Sequence, residues 1–386
     1  MAQNNTEKKP LTRFGEFELL KAIAILGLPA VHVLEEAMEG GFASPGLMRF
    51  GFLIIGLCAF GPSVFMICMG FGIGGGRQNP DSILRNGIQF LLIGAILNIF
   101  RWLIPGIIQD LIIHTPLIND INFCLQSDIY YFVGIFFVFY SFLLRLKIKT
   151  PGLVMISVIT LTINTILTPI LHGSIKNPTV ACLLGNLVYV DETSCFPLLS
   201  WAIFPTVGIL LGEMLKKSDE EQRENFMKRI FDFSAVLFIS FTVFLWNYHI
   251  DIEKSLVSPA NEYITDLPNV ILLLSLALFL ISLTYYLCKK IGASKFMGFM
   301  LKISAFIIPF YMVQWIIIAW IFYILTIVGA APESFGGLHY AISVLIVTVI
   351  CIYVATRHGM KIMKLLIKFT TFKKKKKKKD NREKKA

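Results

Sequence analysis

Lys21 and His32 lie within one long apolar run, residues 16–34. Eleven residues separate them, so on a helix they sit about 20° apart around the axis and about 16 Å apart along it. One face then carries an ammonium toward one end and an imidazole toward the other. An ammonium can draw in an anionic donor, and an imidazole can take a proton near neutral pH. Glu35 and Glu36 follow His32 at three and four residues, within reach to fix the tautomer and orientation of its ring. Pro29, between the two groups, frees the carbonyl of Ile25 and loosens the helix there. Ionisable side chains inside lipid are costly, which makes each a functional candidate by default. The plainer reading has Lys21 snorkelling to the interface to pair with Glu18, and His32 marking the opposite boundary. A further polar pair, Asn98 and Arg101, lies one helical turn apart in a later apolar run and could face the same interior.

The elements that position these groups follow from composition. The 386 residues are 55% hydrophobic and 16% charged, with 33 Phe, and mean hydropathy is +0.70. Soluble domains carry about 25% charged residues, so the chain is neither a water-soluble protein nor a disordered one. Runs long enough to span a bilayer fall at about 16–34, 50–72, 84–104, 127–145, 151–171, 197–215, 229–248, 267–288, 303–327 and 339–357. The predicted fold is all-α, a polytopic membrane bundle of about ten helices. The connectors leave no room for a soluble domain, and the short polar leader lacks a cleavage site.

With the N-terminus inside, inner connectors hold seventeen Lys and Arg and outer ones four. That bias predicts N-in/C-in topology in the cytoplasmic membrane. The net charge of +11 does not point to nucleic acid, because 14 of the 36 Lys and Arg lie in residues 357–386. The chain therefore divides into one transmembrane domain, 1–357, and a polybasic tail, 358–386. The tail reads as a solvated topogenic segment, with anionic lipid as its partner in the functional reading. The seven Cys form no metal-binding spacing, so no metal is expected, although Cys182 and Cys195 could pair outside. A secondary transporter or flippase of a lipid-linked saccharide or small solute is the alternative. It calls for paired discontinuous helices, and the Gly-rich exit of the second run is the one strong break. A homodimer is compatible with the sequence.

Four segments, in order, resemble the transmembrane acyltransferases: the acyltransferase 3 family and its relatives of the heparan-α-glucosaminide N-acetyltransferase type. Glu18, Lys21 and His32 match an acidic residue, an Arg and a His at the family's spacing. GPSVFMICMGFGIGGG, residues 61–76, is similar to a Phe-rich segment ending on Gly-Phe. FPLLSWAIFPTVGILLGEML carries the paired glycines Gly208 and Gly212. Ser304, Tyr311 and Gln314 match a Ser preceding Tyr-x-x-His. Three positions depart: Lys21 replaces the Arg and loses its planar fork, Gln314 replaces the His, and Cys68-Met69 replaces a small polar residue.

The resemblance implies transfer of an acyl group, first choice acetyl, from cytoplasmic acyl-CoA to a hydroxyl or amine of an extracytoplasmic glycan or lipid-linked saccharide. Lys21, Arg77 and Arg85 would meet the phosphates of acetyl-CoA. His32 would act as general base with Glu36 beside it. Asn98, Arg101, Tyr311 and Gln314 would orient the acceptor or stabilise the oxyanion.

Overall fold

The computed structural model describes residues 14–58, 60–76, 78–114, 117–126, 128–191, 194–247 and 267–370. Among them there is no strand, only an isolated bridge between Ala43 and Phe335. The elements are α1 (Gly15–Glu39), α2 (Pro45–Cys58), α3 (Gly61–Gly75), α4 (Pro80–Asn98), α5 (Ile104–Ile113), α6 (Leu117–Leu125), α7 (Ile129–Arg145) and α8 (Thr150–Leu171). They continue as α9 (Pro178–Gly185), α10 (Leu198–Trp201), α11 (Ile203–Lys217), α12 (Glu220–Asn247), α13 (Leu267–Ile291), α14 (Lys295–Ala305), α15 (Ile307–Ile327) and α16 (Gly337–Thr370). A π-helical turn, Ile99–Leu103, joins α4 to α5.

Eight helical spans among the described residues are long and apolar enough to cross a membrane. The second and seventh apolar runs of the sequence are not among these eight. The second is split into α2 and α3, and Pro62 starts the new helix at its second position, where the missing N–H costs nothing. The seventh lies in α12, whose first turns, Glu220 to Arg229, are strongly charged. Hydropathy sees neither break nor extension. The last helix continues past residue 357 to Thr370, so the first basic residues of the tail are helical. Residues 371–386, with the lysine run, lie outside the described residues.

Helix α1 is the axis of the bundle. It packs against α2, α3, α13, α14, α15 and α16, and most of its residues are buried, from Phe17 to Ala37. By contrast, α8 exposes Met155, Ile159, Ile163, Ile166 and Ile170, and α16 exposes Leu338, Ile342, Leu345 and Val349. Apolar ridges of that extent are tolerated where lipid covers them. The molecule is a multi-pass membrane protein.

The closest packing joins α3 to α11 through facing glycines. A Cβ at Gly70 would strike the carbonyl of Pro205, one at Gly74 that of Ile209, one at Gly208 that of Ile67 and one at Gly212 that of Phe71. In lipid, where burial of apolar surface drives little helix association, small residues at this spacing let backbones touch. Gly208→Ala should therefore lower stability by about 1–3 kcal/mol. Gly72→Ala, with open space around its position, should not. Thermal unfolding of the two variants in detergent checks the contrast.

Candidate active site

His32 and Lys21 both project from α1 into the interior, at different levels. His32 borders a polar cavity of ≈ 230 Å³, and Lys21 borders an apolar one of ≈ 230 Å³. Tyr311 on α15 lines both. Its hydroxyl donates to Asp128 Oδ2 (3.0 Å), and its ring packs edge-on against Tyr130, 5.1 Å between centroids. Tyr130 is anchored in turn by donation to the Ile308 carbonyl at 3.1 Å. Tyr311 is thus common to both chambers, and Tyr130 belongs to the wall of the apolar one.

At the Lys/Arg-rich end, Lys21 Nζ lies 2.9 Å from Glu18 Oε1. Ser304 Oγ donates to the other oxygen of Glu18 at 2.6 Å. The predicted pair with Glu18 thus forms, and Lys21 nevertheless reaches the cavity wall. Phe65, Met66, Cys68, Phe90 and Val133 are among the side chains that make the rest of this cavity apolar. Arg85 is exposed on α4 and borders neither cavity. Arg77 lies outside the described residues.

At the opposite level, His32 is 6% exposed. Its ring stacks on Trp315 at 3.9 Å, and Nδ1 lies 2.8 Å from Gln314 Nε2. Gln314 is wholly buried and its Oε1 has no partner. A half-turn of that amide exchanges donor for carbonyl at Nδ1 and moves the ring proton from Nε2 to Nδ1, the tautomer in which Nε2 is a base.

Glu36, expected beside the imidazole, also has a partner from another helix. Its carboxylate accepts from Arg101 at 3.3 Å, and Gln314 occupies the ring nitrogen. A guanidinium is the stronger partner, since both groups of that bond are charged. Arg101 also lies 3.9 Å from Asp128 Oδ2, and its guanidinium sits 3.4 Å from the Trp315 ring centre. The π-turn that carries Arg101 inserts an extra residue into the helix, a device frequent at functional sites.

Asn98, almost fully buried, donates to the Cys124 carbonyl at 3.2 Å. Its Oδ1, in the cavity wall, has no partner. The fold thus gathers His32, Glu36, Asn98, Arg101 and Tyr311 around one chamber, with Gln314 directly behind the imidazole.

Asp128 and Trp315 were not singled out from the sequence. Asp128 caps α7 by accepting from the Tyr130 N–H at 2.9 Å through Oδ1, leaving Oδ2 for Tyr311. An acid at the mouth of an apolar run, followed by two tyrosines, was the available signal. Cys182 and Cys195 are not joined in a disulfide. Among the described residues no group of His, Cys, Asp and Glu is placed to hold a metal ion.

Compared with known families, residues 14–357 match the model of the acyltransferase domain of the acyltransferase 3 family. The chain belongs to the acyltransferase 3 family. No curated protein and no solved structure matches it. Membership makes the protein a membrane acyltransferase in the general sense, and the enzyme reading takes precedence over the transporter one. The acyltransferase 3 match begins just before α1 and ends within α16, so it takes in every residue of the two chambers.

Proposed function

We propose that this acyltransferase moves an acyl group, acetyl the first choice, from acyl-CoA on the cytoplasmic side to a hydroxyl or amine of an extracytoplasmic carbohydrate at the cell membrane. The observation that carries the reading is the pair of chambers with Tyr311 in both walls, one apolar with a cation at its wall and one polar with a buried imidazole. The coenzyme's phosphates stay near Lys21, and its thin arm enters the apolar cavity. The thioester carbonyl then arrives beside His32. Nε2 of His32 takes the acceptor's proton while the acceptor oxygen or nitrogen attacks that carbonyl. The C–S bond breaks, and the coenzyme leaves as a thiolate that takes up a proton. Arg101 and Tyr311, both in the chamber wall, are donors for a developing oxyanion. The lysine-rich tail adds attraction to anionic lipid.

The deciding experiment uses the full chain in proteoliposomes, with labelled acetyl-CoA on one side and a saccharide acceptor on the other. Label should appear on the saccharide. Absence of acetyl-CoA binding would return the transporter to first place. In the same assay, Lys21→Gln should raise KM for acetyl-CoA about tenfold with a smaller change in kcat, as expected when a charge contributes to donor binding in ground and transition states alike.

A further inference from the structure

Carboxyl groups outnumber cations in the wall of the polar chamber. Four carboxyl groups, from Glu35, Glu36, Glu39 and Asp128, line it, and Arg101 is the one Lys or Arg among its lining residues. That guanidinium already faces two of the four, Glu36 at 3.3 Å and Asp128 at 3.9 Å. Glu39 stands exposed at the end of α1, where an entering molecule would first meet it. Carboxylates accept hydrogen bonds from hydroxyl or ammonium groups, and they repel another carboxylate more strongly as water is excluded.

Two independent features mark the chamber as built for a polyhydroxylated ligand. Trp102 and Phe123 supply aromatic surface. Among the same residues, Trp315 Nε1, Asn98 Oδ1 and Arg101 Nε are buried atoms without a hydrogen-bond partner. They offer two donors and one acceptor at fixed positions, while Trp315 and Asn98 are 6% and 1% exposed. Fixed polar atoms in an otherwise aromatic wall orient a ligand and set its specificity.

We infer that the sugar accepted in this chamber is neutral or an amino sugar, and that uronic and other acidic sugars are turned away by the carboxylates of the wall. The inference rests on the acyl-transfer reading for the side from which the sugar enters. Its test is a binding measurement made without any acyl donor, so a failure of catalysis and a failure of this selectivity are distinguishable.

The probes are methyl β-glucoside, methyl β-glucosaminide and methyl β-glucuronide, which share ring stereochemistry and differ in charge. Saturation-transfer NMR on the full chain in nanodiscs should show the glucoside and glucosaminide bound. The glucuronide should bind at least about tenfold more weakly, because like charges across a binding surface are strongly disfavoured. Glu39→Lys should narrow that gap, with Glu39→Gln intermediate; both changes sit at an exposed helix end. Glucuronide binding as tight as the glucoside, a ratio unmoved by Glu39→Lys, or no binding of any of the three would each overturn the inference.

Discussion

Replacing His32 by alanine is expected to lower acyl transfer by about two to four orders of magnitude, the range contributed by a positioned general base. Acetyl-CoA binding should change little, because Lys21, not His32, borders the apolar cavity proposed for the donor. The imidazole is held on two sides, by Gln314 at Nδ1 (2.8 Å) and by the Trp315 face at 3.9 Å. That fixation keeps Nε2 aimed without any search through rotamers at the moment of reaction. His32→Gln, close in shape, separates lost chemistry from lost packing and should be as inactive as His32→Ala. Initial rates of label transfer in proteoliposomes, with acetyl-CoA binding measured beside them, decide the matter. A His32→Ala protein working at the wild-type rate would remove the imidazole from the mechanism.

The second large effect concerns Arg101. Its side chain is 13% exposed and faces Glu36 and Asp128, themselves 10% and 6% exposed. Removing one partner of a buried ion pair strands the other charge, at a cost of about 3–5 kcal/mol. Arg101→Met should therefore destabilise the protein by about that amount. Adding Glu36→Gln to Arg101→Met should recover part of the loss, since one stranded carboxylate disappears. Arg101→Lys keeps the charge but gives up the planar group lying against Trp315, and should fall between the two. Chemical unfolding of the three variants in detergent gives the order. Equal stability of Arg101→Met and wild type would show that the carboxylates are held by something else.

The placement of Lys21 and His32 was legible because a helix is rigid and its period is fixed; eleven residues bring two side chains to one face whatever surrounds them. The partner of Glu36 was not legible for the same reason. Spacing along α1 names only neighbours on α1, whereas the guanidinium that claims Glu36 comes from a π-turn between α4 and α5. Nothing in an apolar run announces such a turn. Hydropathy likewise passed over the split between α2 and α3 and the interruption at Phe306 between α14 and α15, because apolar residues continue through both. Asp128 escaped notice as an ordinary boundary acid. Its second oxygen acquires a role only once α15 brings Tyr311 within reach.

Tyr311 belongs to the walls of both chambers. On the proposed reaction, a fragment of a few atoms changes compartments there while the bulky nucleotide carrying it never leaves the cell. Exterior chemistry is thereby driven by a bond made indoors, in surroundings that hold no high-energy metabolites of their own, and no exporter for the coenzyme is required.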